Sequence, residues 1–160
     1  MHTSRMHLFA AAVLALGGGL LGPAIPPDGY ARREMSGPSS LYERAGGTPF
    51  FEALVGRFYA RVASDPLLGP IYPEPDLAPA QRRLTLFLMQ YWGGPTTYDD
   101  ERGHPRLRMR HAPFAIGPEE RDRWLSLMRA ALGEMAPPAD IVEEFERYFT
   151  MAAEAMRNRE

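Results

Sequence analysis

The stretch Gly-His-Pro-Arg-Leu-Arg-Met-Arg-His-Ala-Pro-Phe, residues 103–114, sets His104, Arg106, Arg108 and Arg110 ahead of a second imidazole, His111. Two chemistries suit it. A row of guanidinium groups can grip phosphate or another anion, and a single imidazole beside an apolar segment can ligate a metal or move a proton. The rest of the chain narrows the choice. It holds no cysteine, which excludes disulfides, zinc ribbons, iron-sulfur clusters and thiolate catalysis together. All 18 Lys+Arg positions are arginine, so no ε-amine exists for Schiff-base chemistry. Arginine density is therefore a trait of the whole sequence and not a mark of function by itself. A formal net charge of -2 weighs against general attraction to phosphate. Any metal must be held by His, Met, Tyr or carboxylate.

Polar aromatics are the other unusual feature. Tyr59 and Trp124 fall on otherwise apolar helix faces, and a buried phenol or indole N–H left unpaired costs about 1–3 kcal/mol. Each is compatible with a core aromatic bonded to backbone. Met89, Met109 and Met128 read as core filler rather than metal ligands. Glu143, Glu144 and Glu146 read as a solvated face. No HExxH, Gly-rich phosphate loop or Gly-x-Ser-x-Gly elbow occurs, so hydrolase and nucleotide-binding readings have no support.

The elements that must position these residues are helical. Thr48 and Pro49 read as N-cap and first turn, and Phe51, Val55, Phe58, Tyr59 and Val62 recur at helical spacing until Asp65-Pro66. Residues 66–79 carry five prolines and form a loop that contains Tyr72. Ala80, Leu84, Phe87, Leu88 and Tyr91 then share a face through Trp92, closed by Gly93-Gly94-Pro95. Residues 95–105 are expected to be irregular. Pro118 with Glu119 and Glu120 starts a helix carrying Trp124, Leu127, Met128 and Ala131. Asp140, with Glu143 as its capping-box partner, opens a last helix that turns Ile141, Phe145, Tyr148, Phe149 and Ala152 inward. No strand alternation appears, so the class is all-α with about four main helices.

Residues 1–40 form an N-terminal extension, expected to be disordered, ahead of a domain at 41–160. Leu8 to Leu21 is apolar and Gly29-Tyr30-Ala31 offers a small-x-small cleavage site, as in an export signal. The favoured alternative places the true start at Met35 and the protein in the cytoplasm. Interrupted by Gly17-Gly18-Gly19, the run is short for a spanning helix, and no membrane partner is expected.

In order and spacing, Phe58-Tyr59, Tyr72-Pro73-Glu74, Gln90-Tyr91-Trp92-Gly93-Gly94-Pro95, residues 103–114 and Glu120-Arg121-Asp122-Arg123-Trp124-Leu125 resemble the second group of truncated haemoglobins. The resemblance runs from about Leu41 to Met156. It implies a truncated globin, a two-over-two helical sandwich around haem b, with a loop replacing most of the helix before the proximal histidine. It implies His111 as iron ligand, with Arg110, Arg83 and Tyr98 toward the haem propionates and His104 bracing the loop, while Arg106 and Arg108 are left to solvent. On the distal side Ala80 stands where many globins place a histidine. Hydrogen bonding to ligand then passes to Tyr59, Tyr72 and Trp124, beside apolar Leu84 and Phe87. Such a site implies tight binding of O2 and of other gases such as NO and CO. It also implies nitric-oxide dioxygenase or peroxidase activity with an unidentified reductase, in a monomer or homodimer that binds no nucleic acid. A haem-based gas sensor or haem carrier, and a haem-free helical module binding anions or nucleic acid through Arg102 to Arg110, remain the alternatives.

Overall fold

The structure, a computed structural model, describes residues 39–73 and 75–160. Most of the N-terminal extension, with its signal and start-site readings, lies outside the described residues. Among them are seven α-helices: α1 (Leu41–Ala45), α2 (Gly47–Val62), α3 (Ala78–Tyr91), α4 (Thr97–Arg102), α5 (Leu107–His111), α6 (Pro118–Met135) and α7 (Ala139–Met156), with a 3-10 turn at Gly69–Ile71. No strand occurs among the described residues. None of their helices is long and apolar enough to cross a membrane. Four helices have 14 to 18 residues, as the periodicity predicts.

The long helices form two layers, with α2 packed on both α3 and α6, and α6 on α7. The apolar face read from α2 is buried throughout, and Phe50 and Leu54 join it. Phe145, fully buried on α7, meets the rings of Phe50, Phe51, Trp92 and Phe149 at centroid distances of 5.8, 5.9, 5.3 and 5.3 Å. It joins α2, the end of α3 and α7 in one aromatic cluster. Phe145→Ala is therefore expected to lower the unfolding free energy by about 3–5 kcal/mol. A denaturation midpoint within the error of the unsubstituted protein would refute that role.

Local starts differ from the sequence reading at two places. Thr48 is not the cap of α2: Gly46 at φ 114 lets α1 turn directly into α2, and Thr48 lies in its first turn. The cap is the Tyr42 phenol, which accepts the Thr48 N–H at 3.1 Å and bonds the Thr48 hydroxyl at 2.7 Å. Its ring leaves no room at Gly94, where a Cβ would come within 2.7 Å of it. Asp140 does not cap α7 either. Pro138 is the N-cap and Asp140 takes an ion pair from Arg44 at 2.7 Å, tying α1 to α7.

The connection before His111 is more regular than expected, because residues 97–102 form α4 and residues 107–111 form α5. Helices this short leave no periodicity to read. α4 is instead held from outside: Gln90 accepts the Asp99 N–H at 3.0 Å, Arg82 pairs with Glu101, and Tyr98 packs edge-on against Phe87.

Candidate functional site

A cavity of about 490 Å³ opens between the two layers. The ten residues that the resemblance assigns to haem and its gaseous ligand all line it: Tyr59, Tyr72, Ala80, Arg83, Leu84, Phe87, Tyr98, Arg110, His111 and Trp124. They come from α2, the Pro-rich loop, α3, α4, α5 and α6. On α3 the spacing 80, 83, 84, 87 follows i, i+3, i+4, i+7, so the cavity wall is one helix face. Ala80 is buried while Leu84 and Phe87 are only half-buried, as befits side chains turned to a cavity.

His111 closes α5 at one side. Its Nδ1 lies 2.7 Å from the Leu107 carbonyl oxygen. A carbonyl only accepts, so Nδ1 must donate, and in the neutral ring the lone pair then sits on Nε2. This is the usual support for a metal-ligating imidazole, in which one nitrogen is tied to backbone and the other is kept basic. Arg110 lines the cavity edge and also braces the preceding turn, donating Nε to the Pro105 carbonyl at 2.8 Å and Nη2 to that of Arg102 at 3.2 Å. His104 is exposed and accepts the Arg106 N–H at 3.3 Å, while Arg106 and Arg108 are exposed.

The polar aromatics sit on other walls. The rings of Tyr59 and Tyr72 meet edge to face at 5.6 Å. Burial pushes the Tyr59 hydroxyl far above the usual phenol range, helped by Tyr72, and burial raises Tyr72 as well. Both stay protonated, able to donate. Trp124 is held between Phe58 and Phe149, at ring distances of 5.4 and 5.7 Å. No hydrogen bond ties its indole N–H to another described residue.

Sequence reasoning missed the clamp beside this group. Asp65, 7% exposed, accepts the N–H groups of Leu67 and Leu68 at 3.0 and 2.9 Å and Arg123 Nε at 2.6 Å. It joins the start of the Tyr72 loop to α6 next to Trp124. The Leu68 N–H, foremost, and Arg123 hold its carboxyl below the usual carboxylate range. A depressed folded pKa adds stability that is complete above the unfolded value near 4 and is lost as pH falls through the folded value. The unsubstituted protein should therefore lose stability more steeply than Asp65→Asn on acidification below about pH 5. Parallel acid-denaturation curves would contradict this.

Also missed were Leu107, Phe114, Ile116 and Met156, which complete the apolar wall around His111. They flank the histidine or end α7, where no periodic signal marks them. Met89 and Met128 are buried as expected, but Met109 is 58% exposed on the outer side of α5 and is not core filler. None of the three lines the cavity.

The residues present suit haem. Among the described residues no group of three or more His, Cys, Asp or Glu could hold a metal ion, whereas one imidazole suffices for a metal that arrives in a macrocycle. The apolar walls and the arginines at 83, 102 and 110 match a flat apolar ring that carries carboxylates.

The sequence matches the bacterial-like globin family over residues 40–158. It is 43% identical over 113 residues to a group 2 truncated haemoglobin of Bacillus subtilis, covering 71% of this chain and 85% of that protein. A thermostable haemoglobin from Thermobifida fusca superposes with a TM-score of 0.74 at 57% identity, covering 75% of this chain and 98% of the other. The truncated oxygen-avid haemoglobin of Bacillus subtilis gives 0.71 at 43% identity, with 75% and 100% covered. With two helical layers enclosing a cavity that has one backbone-braced imidazole on its wall, and with these relatives, the chain belongs to the bacterial-like globins as a group II truncated haemoglobin.

Proposed function

We propose that this globin binds haem b through His111 and retains O2 tightly at Tyr59, Tyr72 and Trp124, putting it to redox use rather than delivery. The bond from His111 Nδ1 to the Leu107 carbonyl carries the reading, since it reserves Nε2 for a metal at the wall of the cavity. The chain has no cysteine to form thioether links, which favours noncovalent haem b. Arg83 and Arg110 supply cations for its propionates and Tyr98 a phenol; Leu84 and Phe87 exclude water. Haem, when bound, supplies an iron centre that takes diatomic gases.

Opposite it, two phenols and an indole can only help a ligand that gathers negative charge by donating to it. Each charge-assisted bond is worth about 1.5–3 kcal/mol. Retention of that strength suits conversion of O2 with nitric oxide to nitrate, or reduction of peroxide. Nitrate formation from NO and O2 takes one electron per turnover, drawn from a separate reductase. The competing use of Arg102 to Arg110 as a nucleic-acid grip is weakened because Arg102 and Arg110 line the cavity.

The test is the absorption spectrum of the purified full chain with haem supplied, in reduced, CO-bound and air-equilibrated states. A Soret band that shifts with CO and an oxygenated form that persists are expected. Absence of any haem band sinks the reading, and rapid loss of O2 removes its distal half.

A further inference from the structure

His111 ends a helix of five residues, too short to hold its own shape in water. What fixes the imidazole must come from elsewhere in the fold. The Leu107 carbonyl sets the ring's rotation, but Leu107 belongs to the same short helix. The chain leaves α7 at Arg157, where ψ turns to 133°, and the next residue, Asn158, devotes its side-chain amide and backbone N–H to the backbone from His111 to Ile116. Its Nδ2 donates to the carbonyls of His111 at 3.2 Å and Phe114 at 2.8 Å, and its Oδ1 accepts the Ile116 N–H at 3.1 Å. Its backbone N–H donates to the Ile116 carbonyl at 2.9 Å, where the Arg159 N–H also arrives at 3.0 Å. Both faces of the amide are used: two donors meet two carbonyls, and the acceptor meets an N–H. Aspartate, the same size, would set a second acceptor against those carbonyls. Phe114 and Ile116 line the cavity beside His111, and Asn158 does not.

We infer that Asn158 is a positioning residue for the proximal side. It latches the end of α7 to the backbone at 111, 114 and 116, and so sets the angle at which the His111 ring meets bound haem. The inference rests on the proposed role of His111 as iron ligand. Partners that orient a metal ligand from outside typically change metal affinity by about 10–100-fold when removed.

The experiment compares the haem-loaded full chain with Asn158→Asp and Asn158→Ala. Two quantities are read: the iron-histidine stretching band of the ferrous protein by resonance Raman, and the rate of haem transfer to apomyoglobin. In both variants the band should shift and broaden and haem should leave about tenfold faster. The stretching band of bound CO, which reports the Tyr59, Tyr72 and Trp124 side, should keep its frequency. A general loosening of the fold would move both bands. Far-UV circular dichroism checks that each variant keeps its helices, and Asn158→Asp preserves side-chain volume. An unchanged iron-histidine band in both variants, with haem still bound, overturns the latch and leaves haem binding intact. A wild type that takes up haem without showing that band overturns the ligand role of His111, and the latch with it.

Discussion

His111→Ala is expected to abolish the histidine-ligated ferrous and CO-bound Soret spectra of the loaded protein. The cavity has other things to offer a macrocycle, namely apolar walls and arginines at its edge, so some haem should still partition into it. What disappears is the one imidazole on its wall, with Nδ1 already committed to the Leu107 carbonyl. His104 cannot replace it, because it is exposed and does not line the cavity. Nor can methionine at 89, 109 or 128. The loss should exceed the roughly 10–100-fold that removing an outer partner costs. Alanine also leaves a hole the size of an imidazole ring, so millimolar free imidazole should restore much of the band. A variant with the wild-type spectrum before imidazole is added would show that another residue ligates the iron.

Much of this site was legible because its chemistry is written in residue types at helical spacing. Ala80, Leu84 and Phe87 fall on one side of α3 by periodicity alone, and Tyr59 and Trp124 are conspicuous on apolar faces, whereas Arg83, Tyr72 and Tyr98 were picked out only by the family resemblance. The resemblance to truncated globins put them around a common ligand, and the cavity brings all of them together. What stayed hidden depends on partners distant in the chain or on conformations without a composition signal. Asp65 and Arg123 are 58 residues apart, and Asn158 lies 47 from His111, so neither contact leaves a local trace. Thr48 followed by Pro49 has the composition of a cap. The competing device won: a glycine at positive φ joins two helices and a phenol caps the second. α4 was missed for another reason, since six residues fixed by side-chain ties to α3 need no amphipathic pattern.

The double substitution Tyr72→Phe with Trp124→Phe should speed O2 release by about 100- to 10,000-fold. Two charge-assisted bonds of about 1.5–3 kcal/mol each are removed, and each 1.4 kcal/mol is a factor of ten. Changes of this kind fall mainly on the dissociation rate. Phenylalanine keeps much of the bulk of each ring, so the packing of residue 124 between Phe58 and Phe149 and of residue 72 against Tyr59 is largely retained. Stopped-flow displacement of O2 by CO reads the rate directly. The singles test whether the donors act as a set, since a smaller penalty for each alone than their product implies means Tyr59 takes over part of the work. The raised phenol ionisation adds a pH signature. Burial raises both hydroxyls above the usual phenol midpoint near pH 10, so O2 retention should be flat across the neutral range, from about pH 6 to 9. A double variant that releases O2 at the wild-type rate would leave this cavity a haem pocket whose polar aromatics serve only to pack.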